Sequence, residues 1–216
     1  MWRSLVGEHL RGTGDVTPAI SRNVVVTTGT ELISGRGFFH RDVVRYWPKK
    51  MLMRLGLTPW RALARQWATG VSLADGAIAW RQSLGVGYHR ELNRSGTPLS
   101  LEDGVAFSSF VTGELIRLAA DGRVIWRMSL PGAAAKGNIA LAGDSLAVAL
   151  SDGRVVFADL GSGRVRSIAG SAGRINFFSP LAWDGKLIFP TAEGRLARFA
   201  TRVGMSPRTE FGRAPQ

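Results

Sequence analysis

The chain has 216 residues, 45% of them hydrophobic, which is enough for one domain with a substantial core, and its formal net charge is +12. It contains no cysteine, which excludes disulfides, thiolate metal sites and a lipid anchor on an N-terminal cysteine. The first ten residues lack the apolar block of a signal peptide, and no apolar run is long enough for a membrane helix. The compartment therefore stays open, while the basic excess favours acidic partners or anionic surfaces.

A short sequence frame recurs along the chain: an Asp-Gly turn, an apolar strand, and a tryptophan five positions after the aspartate. It occurs at residues 75–80 and 121–126, without its glycine at 42–47, and in an eroded form at 162–167. A second marker, a small residue followed by proline before an apolar strand, recurs every 40 residues or so. The units marked in this way begin near residues 17, 58, 97, 138 and 179.

Each unit contains short apolar strands separated by glycine turns, a pattern typical of antiparallel hairpins. Four such strands make one propeller blade, and blades stack because one small sheet cannot bury both of its faces alone. We therefore predict an all-β fold, a small β-propeller of about five four-stranded blades in one domain over residues 1–203. The N-terminal strand at Trp2–Leu5 is predicted to close the last blade, and residues 204–216 to form an irregular C-terminal tail.

The units resemble the pyrroloquinoline-quinone-type propeller repeat through residues 113–126 and 70–80, which combine a Gly-x-Leu strand, an Asp-Gly turn and a terminal tryptophan. That family includes quinoprotein dehydrogenases, outer-membrane assembly lipoproteins and binding scaffolds. The dehydrogenases of that family resemble eight-bladed discs, with a vicinal cysteine pair and a calcium site formed by Glu, Asn and Asp. This chain has no cysteine, no clear acidic ligand cluster and about half their length, so the resemblance implies the non-enzymatic branch.

The residues that could carry chemistry do not form a reactive set. His9 and His89 occupy parallel places after the repeated frame, His40 is isolated, and turn formation accounts for most of the aspartates. We predict no catalytic, cofactor-binding or metal-ligating residues, no cofactor, and no enzyme activity. The alternative is a degenerate or partial quinoprotein-like enzyme, or a propeller that binds a small ligand in its funnel.

A basic segment over residues 45–67 is the best functional candidate, because it interleaves cations with the Met, Leu and Trp residues favoured at interfaces. We predict that the partner-binding residues are Lys49, Lys50, Arg54, Trp60, Arg61 and Arg65. In the alternative, the apolar residues fill the core and the cations are merely solvated.

The predicted function is a non-catalytic scaffold or accessory subunit in a larger complex, for example a membrane-associated bioenergetic one. The favoured partner is a protein or assembly with an acidic face. An anionic membrane surface and nucleic acid are alternatives, and a second copy of the chain that completes a larger ring is a further candidate.

Overall fold

The computed structural model describes residues 17–34, 62–89, 97–109, 111–131, 135–150, 152–170, 180–191, 193–200 and 210–211. Within these residues all regular structure is β-strand, which confirms the predicted all-β class. No helix in this part of the chain is long and apolar enough to cross a membrane.

The strands form four antiparallel sheets of four strands each, and each sheet follows chain order. The first sheet consists of β1 (Ala19–Ser21), β2 (Val24–Ser34), β3 (Ala62–Ser72) and β4 (Ile78–His89). The second consists of β5 (Leu99–Leu101), β6 (Gly104–Ser109), β7 (Glu114–Ala119) and β8 (Val124–Ser129). The third consists of β9 (Ala135–Ala142), β10 (Ser145–Leu150), β11 (Val155–Asp159) and β12 (Val165–Ala169). The fourth consists of β13 (Leu181–Trp183), β14 (Lys186–Pro190), β15 (Leu196–Ala200) and β16 (Glu210–Phe211).

The described residues thus form four sheets, against the approximate count of five predicted from the repeat spacing. The difference arises in the first two predicted units, those beginning near residues 17 and 58. Strand β2 pairs with β3 along nearly its whole length, from Val24 opposite Ser72 to Ser34 opposite Leu63. These units therefore share one sheet. The tryptophan frame at residues 42–47 lies outside the described residues.

The last sheet also differs in its fourth strand. Glu210 and Phe211 pair with Arg198 and Ala197, so a segment expected to be irregular supplies the outer strand. The strand predicted to close this blade, Trp2–Leu5, lies outside the described residues.

Extensive packing between sheets in the described part of the chain links consecutive sheets only. Ala68 and Leu84 of the first sheet pack against Phe107 and Ile116 of the second. The same kind of apolar contact joins the second sheet to the third and the third to the fourth. The core is therefore divided into layers between neighbouring sheets, as expected for blades that bury one another's faces.

Two tryptophans join consecutive sheets in the same way. The indole Nε1 of Trp80, on the outer strand of the first sheet, donates a 2.8 Å hydrogen bond to the carbonyl of Ala120 in the second. Trp126, on the outer strand of the second sheet, donates to the carbonyl of Leu160 in the third at 2.9 Å. Both tryptophans therefore have a structural role between sheets.

Each docked ring lies on a glycine of the next sheet's turn. A Cβ atom at Gly122 would meet the Trp80 ring at 2.5 Å, and one at Gly163 would meet the Trp126 ring at 2.6 Å. Both glycines also have positive φ angles, +85° and +70°, so glycine suits the backbone as well as the contact. The recurring Gly and Trp positions in the sequence therefore encode contacts between sheets.

Candidate protein-binding surface

The first sheet has much longer strands than the others. Strands β2 and β3 have 11 residues each and β4 has 12, whereas the second, third and fourth strands of the other sheets have six residues or fewer. In the added length Glu31 pairs with Arg65, and Arg65 pairs with Val86. This end of the sheet therefore extends beyond the length of an ordinary blade in the molecule.

A cluster of charged and aromatic side chains lies on the face of this sheet that points away from the second sheet. We call Glu31, Arg65, Trp67 and Arg81 the Trp67 cluster. The Trp67 Nε1 donates a 2.8 Å hydrogen bond to Glu31 Oε2, and the Arg65 Nη1 lies 3.8 Å from the same oxygen. The guanidinium carbons of Arg81 and Arg65 lie 4.4 and 5.7 Å from the Trp67 ring centroid, within the range of cation–π attraction.

The cluster carries two cations and one carboxylate. No carboxylate of the described residues lies within ion-pairing distance of Arg81, whose guanidinium group lies over the Trp67 ring. Its surface is therefore net positive, and exposed Val86 and Ile33 add apolar area on the same face. Tryptophan and arginine are the residue types most enriched among the energetically dominant residues of protein interfaces.

In the third sheet, by comparison, an arginine is fully paired with carboxylates. Arg166 forms two hydrogen bonds to the Asp144 carboxylate, at 2.5 and 2.7 Å, and a third to Asp159. The backbone amide and hydroxyl of Ser162, together with Arg166, lower the pKa of Asp159 to about 2. The Arg166 cation is thus offset by two carboxylates, whereas in the Trp67 cluster two cations share one carboxylate.

Of the six predicted partner-binding residues, only Arg65 lies within the described part of the chain, and it belongs to the Trp67 cluster. The others, Lys49, Lys50, Arg54, Trp60 and Arg61, lie outside the described residues. The sequence interpretation did not name Glu31, Trp67 or Arg81 as binding residues. Arg65 and Trp67 are two positions apart, the strand period, and this signal places both on one face.

The described residues also bear on metal binding and small-ligand binding. They contain no group of three or more His, Cys, Asp or Glu side chains placed to hold a metal ion. His89 ends strand β4, and His9 and His40 lie outside the described residues. One groove runs beside the docked Trp80 ring, and its lining consists of Trp80, Arg81, Gln82, Asp121, Gly122, Arg123 and Val124.

Comparison with known proteins identifies the repeats. Residues 64–206 match the family model described as outer membrane protein assembly factor BamB. No curated protein sequence matches the chain. Together with the four-stranded sheets, the family match identifies a β-propeller of pyrroloquinoline-quinone-type repeats, as the sequence predicted.

Several solved structures are similar at low identity. The computationally designed Ika4 protein is 12% identical with a TM-score of 0.55, over 93% of this chain and 99% of that one. Sqt1 from Saccharomyces cerevisiae is 13% identical with a TM-score of 0.53, over 70% of this chain and 46% of that one. BamB from Moraxella catarrhalis is 19% identical with a TM-score of 0.48, over 69% of this chain and 48% of that one. This chain thus spans about half the length of the two natural proteins, and the likeness is one of fold.

Proposed function

We propose that this chain, which belongs to the outer membrane protein assembly factor BamB family, is a non-catalytic propeller that binds protein partners. The description of that family concerns the assembly of outer membrane proteins. In our proposal the chain is an accessory subunit of a multi-protein assembly and positions a partner rather than transforming a substrate.

The observation that carries this proposal is the Trp67 cluster on the elongated strands of the first sheet. Its net positive charge suits a partner with an acidic face, and the Trp67 ring offers a rigid apolar contact beside that charge. Cations at the rim of an interface mainly speed encounter, while a buried aromatic or arginine anchor slows dissociation. We include Lys49, Lys50, Arg54, Trp60 and Arg61 in the same binding surface because they belong to the same basic segment as Arg65.

The proposal is tested with charge reversal and a matched control. The site variant replaces Lys49, Lys50 and Arg54 with Glu, and a second variant is Arg65→Glu. The control replaces Arg123, Arg164 and Arg195 with Glu; these three arginines are exposed and directly precede strands β8, β12 and β15. It changes the net charge by the same amount as the triple site variant. The probe is a fluorescent peptide of alternating Glu and Leu, measured by anisotropy at low and high salt.

We expect the triple site variant to bind the peptide at least about tenfold more weakly at low salt, and the control to stay within about twofold. The melting temperature should be nearly unchanged in both, since exposed substitutions seldom alter stability. An equal loss in both triple variants would mean that net charge alone drives binding. Tighter binding to vesicles of anionic lipid, or to duplex DNA, than to the peptide would overturn the choice of a protein partner.

The non-catalytic part of the proposal has its own test. A ligand that binds only the native state raises its stability, so a cofactor must raise the melting temperature if the propeller holds it. We expect no shift when pyrroloquinoline quinone and calcium are added to the protein. A shift that grows with cofactor concentration would instead support the quinoprotein-like alternative.

A further inference from the structure

The first strands of the four sheets can be compared position by position, because each ends in the same kind of hairpin. The closing pairs are Ser21 with Val24, Leu101 with Gly104, Ala142 with Ser145, and Trp183 with Lys186. Counting back from the turn therefore matches Trp183 with those first-strand residues, and matches Leu181 with Ala19, Leu99 and Ala140. In a strand, residues two apart share a face.

The position matched to Trp183 is buried in three sheets and exposed in the fourth. Ser21, Leu101 and Ala142 are each 8% exposed or less, because each packs beside the sheet that follows. Trp183 is 64% exposed and Leu181 is 60% exposed. Leu196, opposite Pro190 on the same face, is also largely exposed. We call Leu181, Trp183, Ile188 and Leu196 the fourth-sheet face.

Two cations lie on or beside this face: Arg198, opposite Ile188, and Lys186, which is already paired. Lys186 Nζ lies 2.8 Å from Asp184 Oδ2 and 5.8 Å from the centroid of the Trp183 ring. An apolar partner can therefore cover the face without stripping water from an isolated lysine. Large exposed apolar groups of this kind mark interaction sites on soluble proteins.

The first sheet has an apolar row on the face that points away from the second sheet, and this row could receive the fourth-sheet face. Ile20, Val25, Val71 and Ile78 lie side by side across its four strands, and we call them the first-sheet face. The matching row of the second sheet is Ser100, Val105, Leu118 and Val124, of which the last three pack against the first sheet. Ile20 and Ile78, at the two ends of the row, are 56% and 46% exposed, whereas Val71 is 5% exposed.

Arg81 supports the same assignment independently. It directly follows the docked Trp80, just as Arg127 follows Trp126, and its strand partner Thr69 matches Ile116. Arg127 reaches back to the preceding sheet, where its Nη2 donates a hydrogen bond to the carbonyl of Leu84. Arg81 thus has the position of an arginine that bridges to a preceding sheet, but the described chain places no sheet before the first.

We propose that the fourth-sheet face of one copy packs on the first-sheet face of a second copy, and that two such contacts close a ring of eight sheets. A contact between two different faces forms a closed ring when the rotation between copies permits it. The described residues form four sheets, and two copies would supply eight. This proposal develops the second-copy partner considered above and rests on the propeller fold rather than on binding of an acidic partner.

The test measures the mass of the intact chain by light scattering and sedimentation over a range of concentrations. The parent should have twice the 23.3 kDa of one chain. Trp183→Asp and Ile78→Asp should each weaken this self-association by at least about tenfold, because each places an unpaired charge in both contacts. Val165→Asp is the control, since Val165 is similarly exposed but lies on the outer strand of the third sheet.

Mixing the two face variants separates this arrangement from other dimers. The intact fourth-sheet face of Ile78→Asp can still pack on the intact first-sheet face of Trp183→Asp. The mixture should therefore form a heterodimer with one contact, although neither variant dimerises alone. A monomeric parent, an open polymer, a dimer that survives Trp183→Asp, or a mixture that stays monomeric would each overturn the proposal. Circular dichroism of each variant confirms folding. Because Arg81 belongs to both surfaces, peptide binding is measured on Trp183→Asp, which leaves the Trp67 cluster intact and uncovered.

Discussion

The interface between the second and third sheets and the interface between the third and fourth are built differently. The former has a docked tryptophan, Trp126, whose ring covers Gly163 and whose Nε1 donates to the Leu160 carbonyl. In the latter, Ser167 occupies the frame position of that tryptophan, and residues 135–169 contain no tryptophan at all. Directional docking therefore orients the second sheet on the third, whereas the fourth sheet depends on apolar burial.

The apolar contact between the third and fourth sheets joins small side chains on one side to large ones on the other. The third sheet contributes mainly alanines, such as Ala140, Ala147 and Ala149, while the fourth contributes Phe189 and Phe199. The two phenyl rings meet edge to face with centroids 5.6 Å apart, a favourable aromatic geometry. Small residues on one side thus receive large rings from the other. Two consecutive sheets can therefore pack together without a docked tryptophan, if large apolar side chains fill the space between them.

The largest effect on stability is expected from removing one of the two phenyl rings between the third and fourth sheets. Phe199→Ala should destabilise the protein by about 3–5 kcal/mol, because Phe199 is fully buried and the surrounding alanines cannot collapse to fill the cavity. Chemical denaturation measures the change. Val165→Ala, at an exposed position on the outer strand of the third sheet, is the control and should change stability by less than about 0.5 kcal/mol. Similar losses in both variants would contradict burial as the basis of this interface.

The second test concerns the glycine beneath Trp126. Gly163→Ala should destabilise by about 2–4 kcal/mol, since the new methyl group meets the ring at 2.6 Å and the φ of +70° disfavours alanine. Gly194→Ala is a matched control with a φ of +75° and no atom within 4 Å of the added Cβ. The control should cost about 1 kcal/mol, from the backbone alone. The difference between the two variants measures the tryptophan contact, and no difference would mean that the ring moves away freely.

Much of this architecture was predictable because the residues that form the contacts between sheets recur at fixed positions in the repeated sequence. The Asp-Gly turns fix φ and close the hairpins, as at Asp75 and Asp121, whose carboxylates accept hydrogen bonds from the backbone amides of Ala77 and Arg123. The merging of the first two units was not predictable in the same way. Strands β2 and β3 pair across residues 35–61, and spacing says nothing about pairing across so long a connection.

The candidate site was predictable only in part for a related reason. The strand period places Arg65 and Trp67 on one face of β3, and their segment stood out by its charge. The approach of Arg81 depends on the register between β3 and β4, which shifts between Gln66 and Trp67 and again between Gly70 and Val71. Bulges of this kind change which residues face one another, and the sequence carries no clear mark of them.

A smaller effect on stability is expected when either docked tryptophan is replaced, and its size should differ between the two. Trp80→Phe removes the side-chain donor to the Ala120 carbonyl and should cost about 1–2 kcal/mol. Trp126→Phe should cost less, because Arg117 Nη1 also donates to the Leu160 carbonyl, at 2.9 Å, and keeps it paired. Thermal denaturation of the two variants gives the order. A larger loss for Trp126→Phe would show that Arg117 does not compensate.

The smallest expected effect is the acid response of the third sheet, which holds the fourth in place. Hydrogen bonds from the Ser162 amide and hydroxyl, and from Arg166, lower the pKa of Asp159 from 3.8 to about 2. A carboxyl group whose pKa is lower in the folded state stabilises the fold above its unfolded pKa. This contribution is lost as the pH falls from about 4 to about 2.

Asp159→Asn should therefore flatten the fall of melting temperature across that pH window without abolishing it, because Arg166 also lowers the pKa of Asp144. Ser162→Ala, which removes one hydrogen-bond donor to Asp159, should give an intermediate slope. Melting curves recorded from pH 5 to pH 2 measure the slopes, and an NMR titration of the carboxyl carbon assigns the pKa directly. A parental slope in the Asp159→Asn variant would show that this carboxylate does not govern the acid stability of the third sheet.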